Sequence, residues 1–468
     1  MLETLKAYKI QIVMAVTLLG FYAAFAYDLE RYDFIRLISL YAGAFFLSFK
    51  LIQSFKFNGK ILLILGIAAR LVLLIALPNL SQDYFRFLWD GRLLAEGLNP
   101  YLNTPNQWVA LGEIPIAQAQ DLLNGMGALS RQHYSNYPPA NQFFFWLSGI
   151  LSGNSIIGGV IVLRICCIAA DLGIFWIGRK LLKKLKLPEH QIFWYFLNPF
   201  IIIELTGNLH FEGVMLFFLL ASLYLLFRGN WFWSAFLMGL SIAVKLLPLL
   251  MLPLFFQYLI TAHSKTVENS KPFKLLAEKP LQSLWKLFRY YFVVIGVFIL
   301  SFTPFFTEEL IAHFSQTIGL WFQKFEFNAS VYYIIRWIGF QVKGYNIIAT
   351  AGTLLPIVVI AGLMLLALFR KSDRKQHLMS TLLLGTSLYF LCATTVHPWY
   401  IATPLLLSIF TRFRFAIVWS LVVFLSYSAY KIDRVEENFW LIAVEYLVVL
   451  GFFIWELCVS KKDNSIRI

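Results

Sequence analysis

Long apolar runs alternate with short polar breaks along almost the whole chain. A helix needs about 20 consecutive apolar residues to cross the hydrocarbon core of a bilayer. Runs of that order lie at 10–27, 35–53, 61–79, 155–178, 190–205, 211–227, 288–306, 346–369, 378–395, 398–411, 415–430 and 439–458. The run 231–262 is too long for one span and short for two, and Pro248 and Pro253 predict broken helices within it. Two shorter apolar pieces, 142–152 and 328–342, read as re-entrant or interfacial. The pattern predicts an all-α polytopic membrane protein with about 11–13 spans. It reads as a single domain, 1–468, because no polar stretch is long enough to fold separately in water.

Composition agrees. Of 468 residues, 59% are hydrophobic, 18% aromatic and only 14% charged, against about 25% charged in an average soluble protein. Mean hydropathy is +0.71. The net charge of +14 has a membrane explanation, since Lys and Arg accumulate in cytoplasmic loops. Nothing resembles a nucleic-acid motif or a soluble basic domain. Cys166, Cys167, Cys392 and Cys458 lie in or beside apolar runs without metal-ligand spacing, so no metal site is expected from them. Residues 1–9 precede a run that reads as a first anchor rather than a cleavable signal.

Basic clusters occur at Lys50/Lys56/Lys60, at Arg179–Lys186, across 263–287, at Arg370–Lys375, at Arg412/Arg414 and at Lys461/Lys462. Counting spans, all of them fall on one side, which the positive-inside rule makes cytoplasmic. The other side then receives 28–34, a large extracytoplasmic loop at 80–141, 206–210, 307–327, the stretch before His397, and 431–438. The polar motifs gather there, opposite the basic loops. The expected location is a multi-pass bacterial inner membrane protein, with its site facing the periplasm or exterior.

The densest motif is SQDYFRFLWDGRLLAEGLNPY at 81–101. Asp83, Arg86 and Asp90 have helical spacing, and Arg92 and Glu96 pair at i,i+4. Phe85 and Trp89 suit a membrane interface, while Gly97 and Asn99-Pro100 end the helix. This predicts a short amphipathic helix at one membrane face, its charged side turned to a site. Asp83 reads either as a general base or as a helix cap and ion-pair partner. Asp90 reads either as a catalytic group or as a holder of Arg86 or Arg92. YSNYPPANQ at 134–142 reads as a scaffold, because Pro138-Pro139 forces extended backbone.

Further along, LNPFIIIELTGNLHFE at 197–212 places Glu204, Asn208, His210 and Glu212 at the outer end of a hairpin. Ionisable groups at membrane depth are costly and usually functional. Lys245, in SIAVKLLPLL, reads either as a snorkelling lysine or as a cation for a phosphate. EFNASVYY at 326–333 and TTVHPWY at 394–400 complete the set, with His397 a hydrogen-bonding or capping group. Arg164 and Asp171 read as a buried pair. Walker, GxGxxG, HExxH and GxSxG motifs are absent, which argues against an ATP-driven pump, a Rossmann-type nucleotide-sugar enzyme and a metalloprotease.

With these residues in order, the chain resembles the GT-C superfamily of membrane glycosyltransferases. It is most similar to the polyprenol-phosphate-mannose-dependent mannosyltransferases, including the eukaryotic enzyme that adds the first mannose to glycosylphosphatidylinositol. The carriers are QDYFRFLWDGR, GLNPY, YPPA, LNP followed by GNLHFE, AVKLLPL, FNASVYY and HPWY. The resemblance implies a GT-C-like bundle and an inverting transfer of a hexose, mannose in the nearest families, from a lipid-phosphate sugar to a lipid or glycan acceptor. It places the base at the start of the first large outer loop, where Asp83 stands. Two departures are visible. Ser81-Gln82-Asp83 lacks the first Asp of an Asp-x-Asp pattern, and two extra apolar segments precede the loop.

The implied roles are Asp83 as base, with Arg86, Asp90, Arg92, Asn208, His210, Glu212, Lys245 and His397 around the substrates. No cofactor or metal is expected beyond the lipid-linked donor, and no nucleic-acid partner. The short soluble loops leave room for a small membrane subunit. Two other readings stay open: a flippase for lipid-linked sugars, whose charges should line a path through the bilayer, and a polysaccharide polymerase or ligase, which would consume oligosaccharide-diphosphate lipids.

Overall fold

The computed structural model describes residues 8–112, 114–261, 276–323 and 325–465. The chain starts with a hairpin of α1 (Lys9–Tyr27) and α2 (Phe34–Ser54), followed by α3 (Gly59–Val72). An outer segment follows, made of α4 (Asp83–Ala95), α5 (Pro105–Ala110) and α6 (Ala119–Gln132). The chain re-enters through α7 (Pro139–Leu151) and α8 (Ile156–Lys184). After a π-helical stretch, Ile201–Gly207, come α9 (Glu212–Phe227) and α10 (Trp231–Val244). A 3-10 stretch, Leu247–Phe255, leads into α11 (Phe256–Thr261), and α12 (Pro280–Ser301) follows. The remainder is α13 (Leu310–Gln323), α14 (Val331–Lys343), α15 (Ile348–Phe369), α16 (Lys375–Cys392), α17 (Ala402–Ile409), α18 (Phe415–Val422) and α19 (Phe439–Ser465).

The protein is an all-α polytopic membrane protein. Among the described residues, 6 helices are long and apolar enough to cross a membrane, and a bent pair, Ile201–Gly207 with Glu212–Phe227, makes up to 7. The pattern predicted more, because apolar runs do not reveal where the backbone breaks. The run 61–79 leaves the helix after Val72. The run 190–205 splits into a 3-10 turn, one α-turn and the π stretch around Asn198-Pro199. The run 231–262 breaks as Pro248 and Pro253 predicted, and 415–430 is 3-10 in its second half. Part of the basic stretch 263–287 lies outside the described residues, and from Pro280 it is already α12.

Hydrogen bonds between distant segments sort into two ends of the bundle. At one end, Asn79 holds the α1–α2 turn, Leu80 meets Asn208, and Asn99 meets Phe305. At the other, Gln257 meets Arg370, Gln376 meets Leu185, and Thr261 meets Asp373. There Lys184 and Lys375, and likewise Arg370 and Arg412, are close enough for their charges to repel. The basic clusters at Arg179–Lys186, Arg370–Lys375 and Arg412 therefore converge at the end opposite the motifs.

α4 differs from its prediction. Instead of lying on the interface it is enclosed, with Trp89 0% exposed and Arg86, Asp90 and Arg92 buried. It packs on α6 and α7. A Cβ on Gly91 would lie 2.1 Å from the Phe145 carbonyl oxygen, so α4 and α7 meet backbone to backbone at this glycine.

Candidate active site

The site is built around a broken helix. Asn198 and Pro199 interrupt the chain, and the Asn198 side chain accepts from Phe200 N at 3.0 Å. The backbone then widens to i→i+5 bonding, as in Asn208 N to Ile203 O at 2.9 Å. Such π segments are common at functional sites. At Leu209 φ is +62°, a left-handed backbone that costs a non-glycine residue about 1–2 kcal/mol. The axis turns by 108° into α9. The carbonyls freed by this break need donors, and Arg164 supplies them, to Thr206 O at 2.9 Å and Gly207 O at 2.8 Å.

Arg164 is therefore not the partner of Asp171, as the sequence had suggested. Seven residues along a helix separate them by about 10 Å of rise. Asp171 pairs with Arg70 at 2.9 Å instead, and also accepts from Tyr195 at 3.2 Å. Asn208 serves the break and the approach to Asp83 together. It donates to Ile203 O at 3.1 Å and accepts from Leu80 N at 3.0 Å.

Asp83 opens α4 and is half-buried. Its side chain does not cap the helix, because it is already the first helical residue, and its backbone N–H donates to Ser81 Oγ at 3.2 Å. Among the described residues no basic side chain lies within ion-pair distance of it. Enclosure by protein raises its carboxyl above the ordinary aspartate range, opposed by the charges of Lys245 and Arg31 and by Ser81. Tyr137, Tyr400 and Tyr430 lie within electrostatic reach of it.

Lys245 ends α10 in extended backbone and donates to Glu212 Oε1 at 2.6 Å, so a carboxylate answers its charge. The second oxygen of Glu212 is buried without a hydrogen-bond partner among the described residues. His210 Nε2 is 3.6 Å from Glu204 Oε2, while Glu204 Oε1 accepts from Tyr427 at 2.7 Å. The imidazoles of His210 and His397 both stack on Trp399, with ring centres 3.7 Å and 4.5 Å away. Burial, together with Arg31 and Lys245, holds His397 below the ordinary imidazole range, so it is neutral at pH 7.

The two late motifs are joined. Phe327 N donates to Thr394 O at 3.1 Å and Val396 N to Phe327 O at 2.8 Å. Asn328 ties this bridge to the last helix through Glu445 at 3.2 Å, and to the segment just before it through Glu437 at 2.6 Å. An apolar cavity of about 160 Å³, lined by Leu250, Leu355, Val359, Tyr389, Thr395 and Tyr400, runs between α15 and α16 up to the site.

The expected residues thus separate into two groups. Asp83, Asn208, His210, Glu212, Lys245 and His397 come together. Arg86, Asp90 and Arg92 bind the outer segment to itself. Arg86 meets Asp90 at 2.7 Å and the carbonyls of Ser130 and His133. Asp90 also accepts from Ser135 at 2.6 Å and Gln142 at 2.9 Å, which makes YSNYPPANQ its scaffold. Arg92 turns to Ala117 O and to Gln118 at 3.0 Å rather than to Glu96. Sequence reasoning missed Arg31, which lies 3.3 Å over the Tyr430 ring, and did not weigh Trp399 and Tyr427 as site members. Among the described residues no group of three or more His, Cys, Asp or Glu side chains is placed to hold a metal ion.

Residues 38–261 match a family described as alpha-(1->6)-mannopyranosyltransferase, N-terminal domain. The chain is 24% identical over 351 residues to alpha-(1->6)-mannopyranosyltransferase A of Mycobacterium tuberculosis, covering 71% of this chain and 62% of that protein. It is 26% identical over 159 residues to alpha-(1->6)-mannopyranosyltransferase B of Corynebacterium glutamicum, covering 34% of this chain and 25% of that protein. The matches span less than two thirds of either relative's length.

Proposed function

We propose that the protein is an inverting glycosyltransferase that moves mannose from a polyprenyl-phosphate donor to a glycan or lipid acceptor at the extracytoplasmic face. One observation carries the reading. A carboxylate without an ion-pair partner among the described residues, Asp83, stands among cations and aromatic rings at one end of the bundle, beside an apolar cavity. The similarity to mannopyranosyltransferases supports the sugar, and their name supports an α-(1→6) product. Inversion to an α-product requires a β-configured donor. The convergence of the basic clusters at the opposite end supports an outward-facing site.

The step balances as follows. The acceptor oxygen forms a bond to the anomeric carbon while its proton passes to Asp83. The bond from that carbon to the phosphate oxygen breaks, and its electron pair leaves with the lipid phosphate. An aspartate with a raised pKa is, once ionised, a better base than an ordinary one. The leaving phosphate gains charge and needs cations rather than a proton. The apolar cavity can take part of the lipid chain, keeping the phosphate at the rim. The flippase reading is less well supported, because the charges deeper in the bundle, Arg70, Asp171 and Arg164, are engaged by one another or by carbonyls.

The test is transfer from labelled polyprenyl-phosphate-mannose of each anomeric configuration in membranes containing the full chain. An α-(1→6)-linked product from the β-donor alone supports the reading. Sugar movement across vesicles without a product would replace it with the flippase.

A further inference from the structure

We infer that Arg31 is a binding residue for the phosphate of the lipid donor, supplied by the α1–α2 hairpin. This rests on the glycosyltransferase reading for the identity of the anion. Arg31 lies outside the matched family region, 38–261.

Four observations support the assignment. The Arg31 Nε is buried and has no hydrogen-bond partner among the described residues. Of the carboxylates next to it in sequence, Asp28 is paired with Arg36, Asp33 accepts from Arg36 N at 3.2 Å to cap α2, and Glu30 is exposed. The guanidinium lies 3.3 Å over Tyr430, which covers one face and leaves the N–H edge to point elsewhere. Its charge acts on Asp83, Glu204, His210 and His397, so it belongs to the same cluster. The turn is fixed as well, since Asn79 donates to Phe25 O at 2.7 Å and Leu29 O at 2.9 Å, four residues before Asp83.

The other candidate cations are answered within the protein. Lys245 has Glu212 at 2.6 Å, Arg86 has Asp90 at 2.7 Å, and Arg92 has Gln118 at 3.0 Å. A half-buried guanidinium without a counter-anion in contact carries part of the cost of desolvation, and a bound anion offsets it. Its planar fork matches two oxygens of one phosphate. During transfer the donor's monoanionic phosphodiester becomes a phosphomonoester with a charge of about −1.5 to −2. Arg31 therefore favours the transition state over the ground state, and its loss is felt in kcat more than in KM.

The test is binding of farnesyl phosphate, with uncharged farnesol as control, to the full-length protein in detergent. Arg31→Gln is expected to weaken farnesyl phosphate about tenfold or more and to leave farnesol unchanged. Arg31→Met, which keeps an apolar stem over Tyr430, takes its place if Arg31→Gln does not fold. In turnover, the variant should lose about 10–100-fold in kcat with KM changed less than about threefold. Equal farnesyl phosphate binding by wild type and variant overturns the inference. So does displacement of farnesyl phosphate by inorganic phosphate or phosphatidylglycerol at equal concentration, which would make this a general anion or headgroup site. The binding arm needs no transfer, so it decides the role of Arg31 even if the wild type transfers no sugar.

Discussion

Arg70–Asp171 and Lys245–Glu212 are both ion pairs inside an apolar bundle, but their surroundings differ. Arg70 and Asp171 are closed in on all sides: Arg70 also donates to Gly66 O at 3.0 Å and Phe196 O at 2.9 Å, and Tyr195 adds a donor to Asp171. Around Lys245 and Glu212 the matching is incomplete. Among the described residues, buried atoms of Glu204, His210, Glu212 and Arg31 have no hydrogen-bond partner, and Asp83 has no cation in contact. The first arrangement holds helices together. The second has capacity left for something that is not protein. Buried charge alone therefore does not mark a site, and neither does a single unmatched atom, since Arg70 Nη2, Arg86 Nη2 and Arg92 Nε are unmatched as well. The distinguishing feature is several unmatched ionisable groups clustered around a carboxylate that has no cation in contact among the described residues.

Breaking the closed pair should cost stability. Asp171→Ala leaves Arg70 as an uncompensated buried cation and should cost about 3–5 kcal/mol, read as a large fall in melting temperature. The fraction that folds should keep its transfer rate. Glu212→Gln should do the reverse, lowering kcat/KM about 10–100-fold with only a small change in melting temperature. A comparable loss of stability in both variants would erase the distinction. Asn208→Ala removes the tie between Leu80 and the broken helix. It should cost about 1 kcal/mol of stability and a few-fold in rate, since Asp83 loses part of its positioning.

The smallest effect concerns pH. The base must be ionised, so transfer should rise as pH climbs through the pKa of Asp83, which burial places above the ordinary aspartate range. Arg31 and Lys245 pull that pKa down, so Arg31→Gln should move the acidic limb of the kcat/KM profile to higher pH. A limb that stays in place would separate Arg31 from the base.

Much of the fold is legible from apolar run length: α1, α2, α8, α15 and α19 lie close to where the runs predicted them. Breaks were legible only where proline marks them, as at Pro248 and Pro253. The π-helical turn of Ile201–Gly207 has no comparable signal, because Ile, Leu and Thr fit a continuous span equally well. Within the site, motif residues were found where polar groups interrupt apolar runs. Arg86, Asp90 and Arg92 were drawn into the same expectation by their charge, yet their partners lie on the outer segment 45 or more residues away in the case of Ser135 and Gln142, which sequence does not show. Arg31 was missed for the opposite reason. Flanked by Asp28, Glu30 and Asp33, it looks like one member of an exposed charge cluster, and only the fold shows that Arg36 takes two of those carboxylates.

The central claim is that Asp83 is the base of a sugar transfer at this end of the bundle. It is tested most directly by transfer of labelled mannose from polyprenyl-phosphate-mannose, comparing the wild type with Asp83→Asn at matched melting temperature. A product is expected from the wild type, with a loss of about 10²–10⁴-fold in the variant. Wild-type rates from a folded Asp83→Asn protein would contradict it.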